Sequence, residues 1–392
     1  MAVAASLIAC GANDGTPSAS TSDEIVGGVS AKSSRLDAVG SLGRLKGDGA
    51  FTYFCSATLV APRLVLTAKH CAARSGMPAY TESETIHFAI GEDSKAPRRT
   101  VKVARTWMAG LNEGGYIGRG SDVAIMQLDE AIDDVTPLAI ANDHVDASVV
   151  GSRVSAVGYG IRDVARTSGQ RRAGTLTVRA TNGPLVQSAF ASFEELLSFV
   201  RTEGGDAFEP ERDESRVREL WDKSILENHE LFAGVAPGDA QPCSGDSGGP
   251  LIARVDGGLA VFAVVSGSFK LSNSTFNPCS VVGEVYATFP ADVQAMFDEA
   301  VAAVDGAGPK RVPAKDVVRG ADVALPAPAD GGDRCAGLPI EGRCEDGVVL
   351  RCIAASEGPP RVTRTDCTLV MQTCGVVEAT DGALPQAACQ DP

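Results

Sequence analysis

Cysteine is the residue type that most constrains this chain. Eleven occur in 392 residues, at positions 10, 55, 71, 243, 279, 335, 344, 352, 367, 374 and 389. The last six fall within 55 residues, a stretch too short to bury a sufficient apolar core by itself. Residues 333–392 therefore read as a small module stapled by disulfides. Its pattern, C-x8-C-x7-C-x14-C-x6-C-x14-C, allows fifteen pairings. No CxxC pair occurs and no spacing matches a zinc site. Disulfides place the chain outside the reducing cytosol. Because eleven is odd, at least one cysteine has another fate.

Cys10 offers that fate. It follows a short apolar stretch, MAVAASLIA, and the run Leu7-Ile8-Ala9-Cys10 resembles a bacterial lipobox, in which the cysteine is lipidated and becomes the new N-terminus. Residues 1–24 are then a signal and pro-segment, with the small polar residues 11–24 as a tether. The expected location is extracytoplasmic, either secreted or lipid-anchored to a bacterial membrane through Cys10. No other segment approaches the roughly 18 apolar residues of a membrane span. The net charge of −15 argues against nucleic acid and anionic surfaces as partners, since a negative protein is repelled by phosphate.

From Ile25 the pattern is short apolar runs split by glycine and charge, such as Ala57–Val60, Leu64–Thr67, Val123–Leu128 and Leu259–Ser266. These predict the strands of an all-β domain over 25–304. Residues 184–230 interrupt it. Phe193, Leu196, Leu197 and Val200 have helical spacing behind a Ser192/Glu195 capping box, and Val217, Leu220, Trp221 and Ile225 form a second helical run. With twelve acids against five bases, this segment reads as an acidic surface insertion. Phe289–Val304 predicts one more helix. Residues 305–332, rich in Ala, Pro and Gly, read as a linker.

Three motifs carry chemistry. Cys243-Ser-Gly-Asp-Ser-Gly-Gly-Pro250 presents Ser247 on a tight turn, where Gly245 has the freedom to aim its own N–H inward beside that of Ser247. Two such donors would form an oxyanion hole, each worth about 2.7–4 kcal/mol in a transition state. Of the four histidines, His87, His144 and His229 lack a distinctive setting, whereas His70 stands in Thr67-Ala-Lys-His-Cys71 at a strand end. Asp122 heads the apolar run Asp122-Val-Ala-Ile-Met-Gln-Leu128. A buried carboxylate there needs a partner, and an imidazole N–H supplies one while fixing the tautomer.

The order His70, Asp122, Ser247, with these flanking residues, resembles the chymotrypsin/trypsin family over about residues 25–304. The resemblance implies an all-β fold of two antiparallel β-barrels with a C-terminal helix, and a triad in the cleft between the barrels. It implies a serine endopeptidase that needs no cofactor or metal and works through an acyl-enzyme, with a protein or peptide as substrate and an inhibitor or activating protease as further partners. Ile25-Val-Gly-Gly28 resembles the family's mature N-terminus, implying cleavage before Ile25 and pairing of its freed amine with Asp246. Disulfides Cys55–Cys71 and Cys243–Cys279 are implied, as is support of Asp122 by Ser266. Ser266 and Ser268 would border the substrate.

The chain also departs from the family. Gln241 stands where trypsin-like members carry the acid at the floor of the primary pocket. Gly267 replaces the usual tryptophan, and Glu284, before Val285-Tyr286, falls where a wall glycine is usual. Glu284 is therefore expected to project into that pocket, with a one-residue shift that turns it to solvent as the alternative, and Asp239 as a weaker candidate for the same role. Two other functions remain open on sequence: a non-catalytic binding protein built on the same fold, and an esterase, which the absence of GxSxG disfavours.

Overall fold

The computed structural model describes residues 25, 27–72, 85–109, 121–161, 166–204, 208–235, 238–255, 258–269, 282–304, 306–314, 335, 337–339, 341–353, 361–377 and 385–392. Cys10, the residues before Ile25 and Cys279 lie outside them.

After a short strand β1 (Val29–Ser30), six strands form the first barrel: β2 (Val39–Leu45), β3 (Phe51–Ala61), β4 (Leu64–Thr67), β5 (His87–Ile90), β6 (Arg99–Met108) and β7 (Ala124–Leu128). Their antiparallel pairings close the ring in the order β2-β3-β4-β7-β6-β5. A one-turn helix, α1 (Lys69–Ala72), follows β4. Strand β8 (Ala139–Ala141) leads to the second barrel, made of β9 (Arg153–Gly158), β10 (Arg172–Ala180), β11 (Glu230–Ala233), β12 (Pro250–Val255), β13 (Gly258–Phe269) and β14 (Val282–Ala287). The path β12-β9-β10-β11-β14-β13 closes through β12–β13 pairing. The predicted two-barrel, all-β architecture is present. Strand β8 pairs in parallel with β13, and β15 (Arg311–Val312) pairs with β8.

The apolar runs of both barrels feed one continuous core, including Leu59, Leu66, Ile125, Val154, Leu251 and Phe262, all nearly or wholly inaccessible to water. Buried polar groups tie the barrels to each other. The Tyr159 hydroxyl lies 2.9 Å from the Val39 carbonyl and 2.6 Å from that of Gly91, and burial pushes its pKa up to about 12. Arg171, fully buried, donates to the carbonyls of Ala31, Ser33 and Leu36 and to the carboxylate of Asp37. One side chain thus gathers the whole segment that enters the first barrel.

The helical insertion is present as α2 (Phe193–Gly204) and α3 (Pro210–Trp221). The Ser192 Oγ accepts from Glu195 N, while the Glu195 carboxylate accepts from Ala191 N, one residue earlier than a simple capping box would have it. Leu196, Val200, Val217 and Leu220 pack with Phe232, Val282 and Val285 of β11 and β14, so the insertion forms a second core behind these strands. The expected terminal helix is α4 (Ala291–Ala302). It buries Val293, Met296, Phe297 and Ala300, and its Glu299 accepts from Trp107 Nε1 of the first barrel.

The C-terminal cysteines form β16 (Arg343–Glu345), β17 (Val348–Ile353) and β18 (Arg361–Asp366) in one sheet, and β19 (Thr373–Val377) paired with β20 (Gln386–Gln390). Of the fifteen pairings, the one adopted is Cys335–Cys352, Cys344–Cys374 and Cys367–Cys389. This unit packs directly on the second barrel: Val370 belongs to the main core.

Candidate active site

Sheet register brings His70 and Asp122 together. β4 and β7 are antiparallel neighbours, with Thr67 opposite Ala124. His70 emerges just after the end of β4 and Asp122 just before the start of β7, so both arrive at the same barrel edge. A disulfide between Cys55 of β3 and Cys71 of α1 fixes the histidine's turn, with the Cα atoms 6.2 Å apart.

Asp122 is 4% exposed, and three donors compensate its burial. His70 donates from its backbone N to Oδ1 at 2.9 Å. His70 Nδ1 lies 2.7 Å from Oδ2, and Ser266 Oγ donates to the same oxygen at 2.7 Å. An ionised carboxylate only accepts, so Nδ1 carries the proton and Nε2 of the neutral ring is left basic. The expected support of Asp122 by Ser266 is thus a direct hydrogen bond.

Ser247 reaches the same place from the second barrel. Gly248 N donates to Val265 O at 2.8 Å and Val265 N to Gly249 O at 2.9 Å, which staples the turn beside Ser266. Across the cleft, Ser56 N donates to the Ser247 carbonyl at 2.9 Å. Cys71 Sγ lies 3.5 Å from that carbonyl oxygen, so the Ser247 backbone sits against the residue that follows His70. Glycine is obligatory here: Gly248 has φ +77° and a Cβ on it would lie 2.1 Å from Thr67 Oγ1. Gly245 has φ +105°. Among the described residues, the N–H groups of Gly245 and Ser247 donate to no acceptor.

The Asp246 carboxylate is buried and accepts from Gly160 N at 2.8 Å and Cys243 N at 2.9 Å. Glycines are needed at 158 and 160 because a Cβ at either would strike it. Ile25 is fully buried, with its side chain against Gly174 beside Ala240. Cys243 is disulfide-bonded, and its expected partner Cys279 lies outside the described residues.

Glu284 is 3% exposed, which excludes the solvent-facing alternative. It stands between Ala233 of β11 and the half-buried Ser268 of β13. Tyr286, two residues on and so on the same face, is fully buried. Burial, then the charges of Glu284, Asp246 and Asp239, hold its phenol well above the usual range. Gln241 is buried as well. The Asp239 carboxylate accepts from both N and Oγ1 of Thr177, which commits it to β10.

Two further side chains beside the site were not expected from sequence. Ser56, wholly buried, donates from Oγ to Gly245 O at 2.9 Å and accepts from Tyr159 N at 3.1 Å. A backbone N–H can only donate, so the hydroxyl's single proton must go to Gly245. Lys69 Nζ donates to Ala109 O at 2.9 Å, and burial lowers its pKa while Asp122 opposes the shift. Cys55, His70 and Cys71 place ligand-type atoms within 4.8 Å of one another. The two sulfurs form a disulfide and Nδ1 is engaged by Asp122, so the group does not offer a thiolate set to a metal.

A comparison with curated proteins finds no match. Residues 25–194, which include His70 and Asp122 and stop short of Ser247, match the family model described as Trypsin, a match that supports a trypsin-like serine protease.

Proposed function

We propose that this chain is a serine endopeptidase with His70, Asp122 and Ser247 as its triad. The observation that carries the reading is the shared carboxylate: Asp122 holds His70 Nδ1 and Ser266 Oγ at 2.7 Å each, on the first-barrel edge that the Ser247 turn meets from the second barrel through Ser56 N and Cys71 Sγ. In the proposed reaction His70 Nε2 takes the proton of Ser247 as its Oγ attacks the peptide carbonyl. The carbonyl oxygen gains charge and is held by the N–H groups of Gly245 and Ser247, which have no other acceptor among the described residues. The imidazolium, stabilised by Asp122, protonates the leaving amine. Water then releases the acyl group from Ser247 by the reverse proton transfers.

Two finer parts belong to the same proposal. Cleavage before Ile25 frees an amine that pairs with Asp246 and sets the Gly245 turn. Glu284 supplies the negative charge of the primary pocket in place of Gln241, favouring arginine or lysine at the cleaved bond, because a carboxylate held out of water pairs strongly with a cationic side chain. Secretion or lipid anchoring through Cys10 fits the disulfides. The test is a peptide-library digest by wild type and by Ser247→Ala. Cleavage that is lost in Ser247→Ala supports the proposal, and equal cleavage by both proteins refutes it.

A further inference from the structure

Strand β1, just downstream of the proposed activation site, is enclosed on two sides. On one side it pairs with β10, Val29 opposite Ala173, and Arg172 donates to the Gly28 carbonyl at 2.6 Å. On the other side lies the C-terminal module. Val29 is 1% exposed and packs with Val349, Cys367, Ala387 and Cys389. Gly27, at φ +85°, abuts Thr363 so closely that a Cβ would come within 2.5 Å of that side chain. Thr365 Oγ1 reaches the Gly27 carbonyl at 3.5 Å.

The same edge of the module holds the barrel loop that seats Ile25. Arg364 N donates to Gly238 O at 2.9 Å, and Asp366 N donates to Thr175 Oγ1 at 2.9 Å. Gly238 is two residues from Ala240, and Thr175 follows Gly174, where a Cβ would strike both Ala240 and the Ile25 side chain. The loop from Gly238 runs directly into Asp246 and Ser247. One face of the module therefore grips both the N-terminal strand and the segment that receives it. A spacer or a tethered binding domain would need neither contact.

We infer that the C-terminal module is a clamp acting in cis, an interaction surface whose partner is the chain's own N-terminal strand seated against β10. Binding energy between module and seated strand is unavailable when the strand is out of its seat, so docking of the module and assembly of the Gly245–Ser247 turn stabilise each other. The clamp stands on the contacts alone; only its catalytic consequence rests on the protease reading.

The test uses the full chain with a recognition sequence for an unrelated protease placed within residues 315–334 and cut after folding. The module is expected to stay with the barrels in non-denaturing size-exclusion chromatography, and amide exchange at residues 27–30 to stay slow. Thr363→Lys on the module and Thr175→Val on β10 weaken the contact from opposite sides. With the module's three disulfides intact by mass mapping, each is expected to speed that exchange at least tenfold. Each also lowers the fraction of Ser247 that reacts with an active-site titrant. Release of the module on cutting, with exchange and titration unchanged, overturns the inference. Loss of titration in both variants without faster exchange at 27–30 overturns it too. A cut chain that keeps its module and slow exchange but never reacts at Ser247 upholds the clamp and counts against the protease reading.

Discussion

Ser56→Ala removes one hydroxyl that bridges two backbone groups of the site. In the native fold Oγ donates to Gly245 O and accepts from Tyr159 N, and the residue has no exposed surface. The variant leaves a carbonyl and an N–H buried without partners, at about 1–3 kcal/mol each. The expected loss of stability is at least about 2 kcal/mol, read as a lower denaturant midpoint at unchanged slope. The catalytic effect is separable. Deleting an oxyanion donor outright costs about 2.7–4 kcal/mol, and Ser56→Ala only frees the peptide that follows Gly245. About half the smaller figure, ~1.4 kcal/mol, corresponds to a tenfold loss of rate. The loss should fall on kcat, with KM little changed, and a peptide aldehyde that mimics the tetrahedral intermediate should weaken by the same factor. Full kcat and full aldehyde affinity in a destabilised variant would show that Ser56 only holds the barrels together.

Further expectations concern the other parts of the account. Ser247→Ala, His70→Ala and Asp122→Asn should each remove most peptidase activity, and the double variants should lose little more, because the three act as one unit; additive losses in steady-state kinetics would contradict this. Mass spectrometry of the active form should find Ile25 as its first residue, and an active protein beginning elsewhere would refute the activation step. Glu284→Gly should depress cleavage after arginine selectively over cleavage after leucine, and unchanged rates on both would rule out its pocket role. Tyr159 should make the fold sensitive to alkali. Its folded pKa, about 12, lies above the unfolded value near 10, so its contribution is intact below about pH 10 and is lost as pH rises toward 12. Two units correspond to about 3 kcal/mol, and a melting temperature that stays flat from pH 9 to 12 would contradict the burial argument.

Local chemistry made the proposed triad stand out. His70, Asp122 and Ser247 each sit in a short motif whose residues act on their immediate neighbours: glycines that allow the turn, a cysteine that anchors it, an apolar strand behind the acid. The helices of the insertion were legible for the same reason, since a 3.6-residue period and a cap are local. Long-range partners were not. Ser56 lies 189 residues from Gly245 and 103 from Tyr159. Nothing in the run Phe54-Cys-Ser56 announces that its hydroxyl serves another barrel. Nothing local marks Arg171 for burial, yet it is fully buried, because its acceptors, from Ala31 to Val39, come from a segment some 135 residues earlier. The cysteine spacing of the module left its pairing open, and its composition gave no sign that β18 would close over Gly27 and Val29. Its sequence reads as a separate bead, and the packing joins it to the second barrel.

Covalent labelling of Ser247 tests the central claim most directly. A fluorophosphonate reacts with a serine hydroxyl only where a base and an oxyanion site converge on it. The protein processed to begin at Ile25 should therefore gain one phosphonyl group, mapped to the peptide containing Ser247, and His70→Ala should abolish the labelling. Failure of the correctly processed protein to label, or labelling at another residue with Ser247 untouched, would contradict the account.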